Sequence, residues 1–563
     1  MAANPQYAGL EAYRTIIDNT IADMEQRRVM ARIWSKDHTV WKPTPTEIVN
    51  RLGWLHSPKD MTGKRADIDA FVNEVRAEGY THALLLGMGG SSLAPEVFRK
   101  TFGVKEGYLD LAVLDSTDPA AVRACAEWAD TRKTLFIIST KSGGTVETFS
   151  FMKYFYHLAS GTLGSEQAGR HFIAITDPGS GLAALAERFH FRKTFLNDPD
   201  IGGRYSALSY FGLIPAALIG VDLDVFLERA VSAMHGESSP HEAGKITTNG
   251  AFLGAVLGAL AKSGRDKVTF VFSPIIAGFG NWLEQLIAES TGKEGKGIMP
   301  VVGEPLGDVS AYGPDRVFVY LHMGSYETED NNLSTLEKAG HPVLRMQLHD
   351  AYDLGGQCFL WEMVTAVAGA CMGINPFDQP DVEAAKALAR ETLASYRQRG
   401  KLPDELPSVV GTNVAVYGDI QAKTPSEAFD AFIGQAKPGA YVALQAYVQP
   451  TAEMDAALLA LRIQIRDRFH LATSVGYGPR YLHSTGQLHK GDGGKGLFIQ
   501  LTTDNSMDMP IPDEMDSPAS SITFGTLKSA QAAGDWQALK NAGRSIIRFH
   551  QTGNPSRFGS WLD

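Results

Sequence analysis

Apolar positions recur along the chain with two periods, and their alternation sets the expected architecture. Residues 9–34 carry Leu10, Ile16, Ile17, Ile21 and Met24 on one face, which predicts a single long amphipathic helix ahead of a proline-containing connector. From about Asp67 helical and strand patterns alternate: DIDAFVNEVRAEGY, HALLLG, APEVFRKTFG, DLAVLDS, PAAVRACAEWAD and TLFIIS follow one another. A helix over 145–160, the strand FIAIT and the helix LAALAERFHF continue the series. A second cycle starts after SSPHE, with the helix TTNGAFLGAVLGALA, the strand KVTFVFS, a helix over 282–289 and the strands RVFVYLH and VLRMQL. Helices over 356–373 and 381–399 close it. A third stretch offers the strand YVALQAYV, the helix AALLALRIQIRDRF, the strand LFIQLTT and a final helix through Trp536 to His550, and is expected to complete the second domain or its rim.

Units of this kind in series predict an α/β protein with two doubly wound, mainly parallel sheets and an additional C-terminal α/β segment. The expected division is an N-terminal helical segment 1–50, a first domain 51–235, a second domain 236–400 and the C-terminal segment 401–563.

Two strand-to-helix loops stand out as candidate chemistry. After the apolar run TLFII at 134–138 come Thr140, Lys141, Ser142, Gly143, Gly144 and Thr145, and then Val146, Phe149, Met152, Phe155 and Tyr156 at helical spacing. Such a turn directs free backbone N–H groups and the positive end of a helix at one spot, with hydroxyls and an ammonium alongside, which suits a phosphate. A loop capped by its own Ser and Thr side chains is the ordinary alternative. LLLGMGGSSL at 84–93 is a second loop of the same plan, with Gly87, Gly89 and Gly90 permitting close approach of an anion and Ser91 and Ser92 adding hydroxyls. Both loops should lie at the carboxyl edge of one sheet, where open α/β folds bind ligands. A dinucleotide site is the rival for this second loop, since Asp115 ends the next strand, but Ser92 stands where a third Gly or Ala is required.

Composition narrows the choice. A chain of 563 residues needs two or three cores, and 44% apolar with 20% charged residues is ordinary for a folded protein. A net charge of −11 disfavours nucleic-acid partners. Cys125, Cys358 and Cys371 are scattered and odd in number, which points to a reducing, cytoplasmic setting rather than a disulfide frame or structural zinc. The start, MAANPQYAGLEAYR, has no secretory pattern, and the longest apolar windows, such as 251–261, fall short of the roughly 18 residues of a membrane span. No His and Glu pairs occur at metal-ligand spacing, so neither metal nor other cofactor is expected.

GMGGSSL, STKSGGTVET, GGRYSALSYFG at 202–212, AESTGK at 288–293, NPFDQPDVEAAK at 375–386 and YLHSTGQ at 481–487 together resemble the phosphoglucose isomerase family, built from paired sugar isomerase domains. The likeness spans about residues 50–500 and is nearest to the isomerase half of fused transaldolase and glucose-6-phosphate isomerase proteins. Transaldolase activity is not expected, because no spare segment of roughly 250 residues exists for its barrel.

The resemblance implies reversible isomerisation of glucose 6-phosphate and fructose 6-phosphate by ring opening and proton transfer through a cis-enediol(ate), in a cleft between domains. It assigns Gly90, Ser91, Thr140, Lys141, Ser142 and Thr145 to the phosphate grip. Glu289, near the end of the helix NWLEQLIAES, becomes the base; without the resemblance it would be half of an ordinary Glu289 to Lys293 surface pair. Arg204 would stabilise the enediolate oxygen, its alternative being a capping or bracing arginine. Lys386, two turns along the helix opened by Pro380, would aid ring opening.

In most of the family a catalytic histidine lies between the Glu and Lys motifs, yet GEPLGDVSAYG at 303–313 has none. The ring-opening role therefore passes to His483, with His489 the alternative and Gln487 a substrate contact. The changed order leaves open which subunit supplies the imidazole and whether the chain forms a homodimer. Two other functions remain at this stage: a phosphosugar-binding regulator without turnover, and an NAD(P)-dependent oxidoreductase.

Overall fold

The computed structural model describes residues 6–238, 245–324, 327–401, 405–505 and 507–552. The expected division at SSPHE falls mostly on 239–242, outside the described residues.

The first sheet has the strands Asp110–Leu114, His82–Gly87, Thr134–Ser139, Phe172–Thr176 and Lys193–Leu196 side by side, all parallel. Every residue of Thr134–Ser139 and Phe172–Thr176 is buried, as continuous apolar runs covered on both faces should be. The second sheet orders Val343–Leu348, Arg316–Met323, Lys267–Phe272 and Met299–Val301 in parallel, with Gln6–Ala8 added antiparallel at the Val343 edge. That edge strand precedes the helix expected from residue 9 and was not expected; the Tyr7 ring lies 4.9 Å from Phe252 at a tilt.

The helix expected over 9–34 is two, Arg14–Gln26 and Val29–Trp34, parted by Arg28 at φ 52°. Ile17 and Met24 are buried, and an unbroken helix would carry Arg28 onto that same face. The break puts Val29 and Ile33 there instead.

Residues beyond 405 form a sheet of their own rather than extending the second. Ser545–Gln551, Gly496–Thr503, Tyr441–Tyr447 and Ala472–Tyr477 run parallel, and Val409–Val410 and Val414–Tyr417 continue it antiparallel. Tyr441–Tyr447 is buried throughout, and Val442, Leu444, Leu458, Ile465 and Ile499 give this unit its own core. The expected helix through His550 stops at Asn541: Gly543 turns left-handed at φ 69°, and Ser545–Gln551 becomes a strand with Ile546, Ile547, Phe549 and Gln551 buried.

The resulting helix, Phe524–Asn541, does not stay with its own sheet. Phe524, Leu527 and Ala530 share a core with Phe136, Phe151 and Phe155 of the first sheet and its helix. The C-terminal unit is thereby keyed into the first domain, directly beside the loop at 140–145.

Candidate active site

The two glycine loops meet at neighbouring strand ends. Gly87 is in register with Ser139 on the adjacent parallel strand, and Ser139 Oγ donates to Ser91 O at 2.9 Å. Thr145 opens the helix Val146–Leu163 without any side-chain cap bond, so the first N–H groups of that helix are left for an anion. Thr140 and Thr145 hydroxyls lie 3.0 Å apart on the loop between, and Ser142 is exposed at its tip. Lys141 differs from expectation: its ammonium pairs with Asp177 and donates to Pro199 O at 2.7 Å, drawing it to the side of the loop.

Gly90 explains why the loop at 84–93 needs glycine. A Cβ there would sit 2.0 Å from Gly203 O, because the GGSS loop packs backbone to backbone on the turn that carries Arg204. Gly90→Ala is expected to lower the thermal midpoint, since forced overpacking costs about 1–3 kcal/mol, and to reduce kcat/KM by pushing the two loops apart. Thermal unfolding with steady-state kinetics checks this; a variant equal to the wild type in both would contradict it.

From that contact Arg204 extends into the interior, 3% exposed. Its Nε donates to Ser290 Oγ at 2.7 Å, Nη1 to Gln379 Oε1 at 3.0 Å, and Nη2 to the carbonyls of Pro376 and Asp378 at 2.7 and 2.9 Å. Nη1 also lies 3.7 Å from Glu289 Oε1. Glu289 sits in the last turn of the helix Phe279–Thr291, and its Oε2 accepts from Gln285 Nε2 at 3.0 Å. The ordinary Glu289 to Lys293 pairing does not form. Lys293 donates instead to Asp378 Oδ1 at 2.7 Å, and burial, with the nearby Arg204 charge, brings its ammonium down to about 8.

Gln285 links this group to the histidine, since its Nε2 also donates to His483 O at 2.7 Å. His483 turns Nε2 to Glu147 Oε1 at 3.1 Å. Burial pushes the Glu147 carboxyl up, but the charge and hydrogen bond of His483, with Lys386 adding to them, outweigh it and hold the group below its ordinary value. His489 lies elsewhere, enclosed by Tyr441, Tyr481 and Phe498, where burial keeps its ring neutral.

Two further residues are placed away from the Arg204–Glu289 group. Gln487 is fully buried with its whole amide in use: Nε2 donates to Gly292 O at 2.9 Å and Asp381 Oδ2 at 2.6 Å, and Oε1 accepts from Asp381 N at 2.9 Å. It clasps the end of the Glu289 helix to the start of the Lys386 helix, so it braces the site instead of facing a substrate. Lys386 stands at the rim, its ammonium 2.8 Å from Glu383 Oε1 and partly exposed.

Glu147, Gln285 and Gln379 are site groups that the sequence reading passed over. Glu147 lies inside STKSGGTVET, Gln285 one turn before Glu289, and Gln379 within NPFDQ, so each had a local signal. A cavity of about 650 Å³ is lined by Asp115, Glu284, Arg480 and Ser484, and His483 is not among its lining residues. Burial raises Glu284 to about 7 there. The arrangement as a whole sets a carboxylate beside a guanidinium and an imidazole against a second carboxylate, joined through Gln285, with the two loops packed alongside.

Comparison with known proteins gives the family. Residues 61–308 match the phosphoglucose isomerase family. The chain is 31% identical over 440 residues to a glucose-6-phosphate isomerase of Thermosynechococcus vestitus, covering 70% of this chain and 81% of the relative. A glucose-6-phosphate isomerase of Rubrobacter xylanophilus is 29% identical over 399 residues, 61% of this chain and 90% of the relative. Among solved structures, a hypothetical protein of Thermus thermophilus superposes with a TM-score of 0.58 at 25% identity, covering 70% of this chain and all of that one. A glucose-6-phosphate isomerase of Chlamydia trachomatis gives 0.50 at 19% identity, over 69% of this chain and 85% of that one, a likeness of fold.

Proposed function

The chain belongs to the phosphoglucose isomerase family and isomerises glucose 6-phosphate and fructose 6-phosphate, and we propose that it does so through a cis-enediol(ate) with Glu289 as the base. The loops at Gly90–Ser91 and Thr140–Thr145 grip the phosphate through backbone N–H groups and hydroxyls, Lys141 contributing charge from the side. His483, its Nε2 set against Glu147, exchanges a proton with the ring oxygen and opens the ring, with Lys386 as a second cation at the rim. Glu289 then carries the proton between C2 and C1 while Arg204 faces the developing oxyanion.

The observation that carries this reading is the single network joining Arg204, Glu289, Gln285, His483 and Glu147, closed against the Gly90 loop. The test of function is a coupled assay of fructose 6-phosphate with an enzyme specific for glucose 6-phosphate. Sugar-phosphate binding without turnover would support the regulator instead. For the mechanism, substrate deuterated at C2 should lose part of its label to water during turnover, followed by NMR. Complete retention would indicate direct hydride shift and sink the enediol route.

The same proposal places the enzyme in the cytoplasm without nucleic-acid partners, on the strength of its −11 charge and three scattered cysteines. No helix of the described residues is long and apolar enough to cross a membrane. A homodimer is the assembly to test by sedimentation.

A further inference from the structure

We propose that Gln531, on the C-terminal helix Phe524–Asn541, is a positioning residue that sets the orientation and proton affinity of the Glu147–His483 pair, and so gives the third α/β unit control over ring opening. This rests on the isomerase reading and extends it to a part of the chain that the six motifs barely reach.

Gln531 Nε2 donates at 2.7 Å to Glu147 Oε1, the same oxygen that faces His483 Nε2 at 3.1 Å. At its other end, Gln531 Oε1 accepts from Thr117 Oγ1 at 2.8 Å. The two partners demand one amide orientation, because a flipped amide would set its oxygen against the carboxylate. Gln531 is 2% exposed and Glu147 4%, so water cannot replace the bond.

The helix that carries Gln531 is fixed on both sides of the pair. Toward the first domain, Phe524 and Leu527 enter its core and Lys528 meets Asp118 at 2.8 Å. Toward the histidine, Asp535 accepts from Tyr481 Oη at 2.6 Å, and Tyr481 belongs to the turn Arg480–His483. One helix thus holds the carboxylate through Gln531 and the imidazole-bearing turn through Asp535. A side chain serving only to satisfy its own buried amide would not need the oxygen that orients the imidazole.

Among the described residues, the charged and titratable groups around the pair include Lys386 and Glu383 on the helix Val382–Arg399, Tyr447 on the strand Tyr441–Tyr447, Tyr481 beside Asp535, and the Lys528–Asp118 pair. Against that fixed background the sign of the effect follows. An N–H donated to a carboxylate favours its charged form, so removing the donor makes the Glu147–His483 pair hold protons more tightly. The acid limb of kcat/KM should then move to higher pH.

The experiment compares wild type with Gln531→Leu and Gln531→Glu over about pH 5 to 9, the range in which an imidazole titrates. Steady-state kinetics in the coupled assay, thermal unfolding and NMR titration of the His483 ring are the readouts. Gln531→Leu should lower kcat about tenfold with little change in KM, and move the limb and the imidazole titration upward by about half a unit to one unit. Gln531→Glu should move both further, because two carboxylates then compete for one proton. Gln531→Met replaces Leu if that variant does not fold. Folded variants whose limb and imidazole titration match the wild type overturn the proposal, whether or not the thermal midpoint falls. The NMR titration needs no turnover, so an inactive wild-type protein would sink the isomerase reading while this inference is still decided.

Discussion

Replacing Glu289 with Gln should lower kcat by about 10²- to 10⁴-fold, the range a positioned general base contributes, while sugar-phosphate affinity stays within a few-fold. The structure separates the chemical effect from a structural one. Glu289 makes one firm side-chain bond, accepting from Gln285 Nε2, and a glutamine can present its amide oxygen in the same place. The thermal midpoint should therefore hardly move. Steady-state kinetics, a binding titration with 6-phosphogluconate as a non-isomerisable sugar phosphate, and thermal unfolding together check this. Activity within a few-fold of wild type would remove Glu289 from the base role.

Arg204→Ala should be damaging in two ways. As an aimed cation facing the enediolate, its loss should cost about 10²- to 10³-fold in kcat, the effect of removing one preorganised oxyanion donor. From the resemblance alone the lesion is expected to be kinetic, with the bracing arginine the alternative. The structure adds a second penalty. Arg204 saturates Ser290, Gln379 and the carbonyls of Pro376 and Asp378 from a buried position, and truncation strands those acceptors at about 1–3 kcal/mol for each that stays dry. The thermal midpoint should fall markedly. Arg204→Lys is the informative companion: it keeps the charge but not the planar fork, so it should remain slow while recovering only part of the stability. An alanine variant with wild-type midpoint and kcat would contradict both halves of the argument.

These two residues also show where a motif stops being informative. AESTGK and GGRYS each carry a residue proposed to act on the sugar, but neither says that Arg204 would spend most of its hydrogen bonds on the NPFDQ segment. Nor does either say that Lys293 would abandon Glu289 for Asp378. Such choices are made between segments about 90 to 170 residues apart in sequence, and local pattern carries no record of them. Gln487 is the sharpest case. The spacing of YLHSTGQ aligns it with a substrate contact, whereas packing against Gly292 and Asp381 turns it into a clasp.

Local errors had local causes. The split at Arg28 and the strand at Ser545–Gln551 were missed where helical periodicity was extended past a residue that breaks phase, Arg28 in one case and Gly543 in the other. The edge strand Gln6–Ala8 was missed because three residues carry no period at all, and their conformation is imposed by the Val343–Leu348 edge they pair with.

By itself the sequence pattern determined the alternation of strands and helices and the two glycine loops at the carboxyl edge of one sheet, while the residues assigned to isomerisation follow from the resemblance of six motifs to a family. The first two are properties of short stretches, where apolar period, glycine freedom and hydroxyl clustering act within one or two turns of chain. The tertiary structure alone decided that the C-terminal unit builds its own sheet yet sends one helix into the first domain. It also decided that Glu147 and Gln531 stand behind His483, and that Arg204 braces what it serves. Burial is the reason: each of these groups has lost its water, so its partner had to come from whichever distant segment the packing brought within reach.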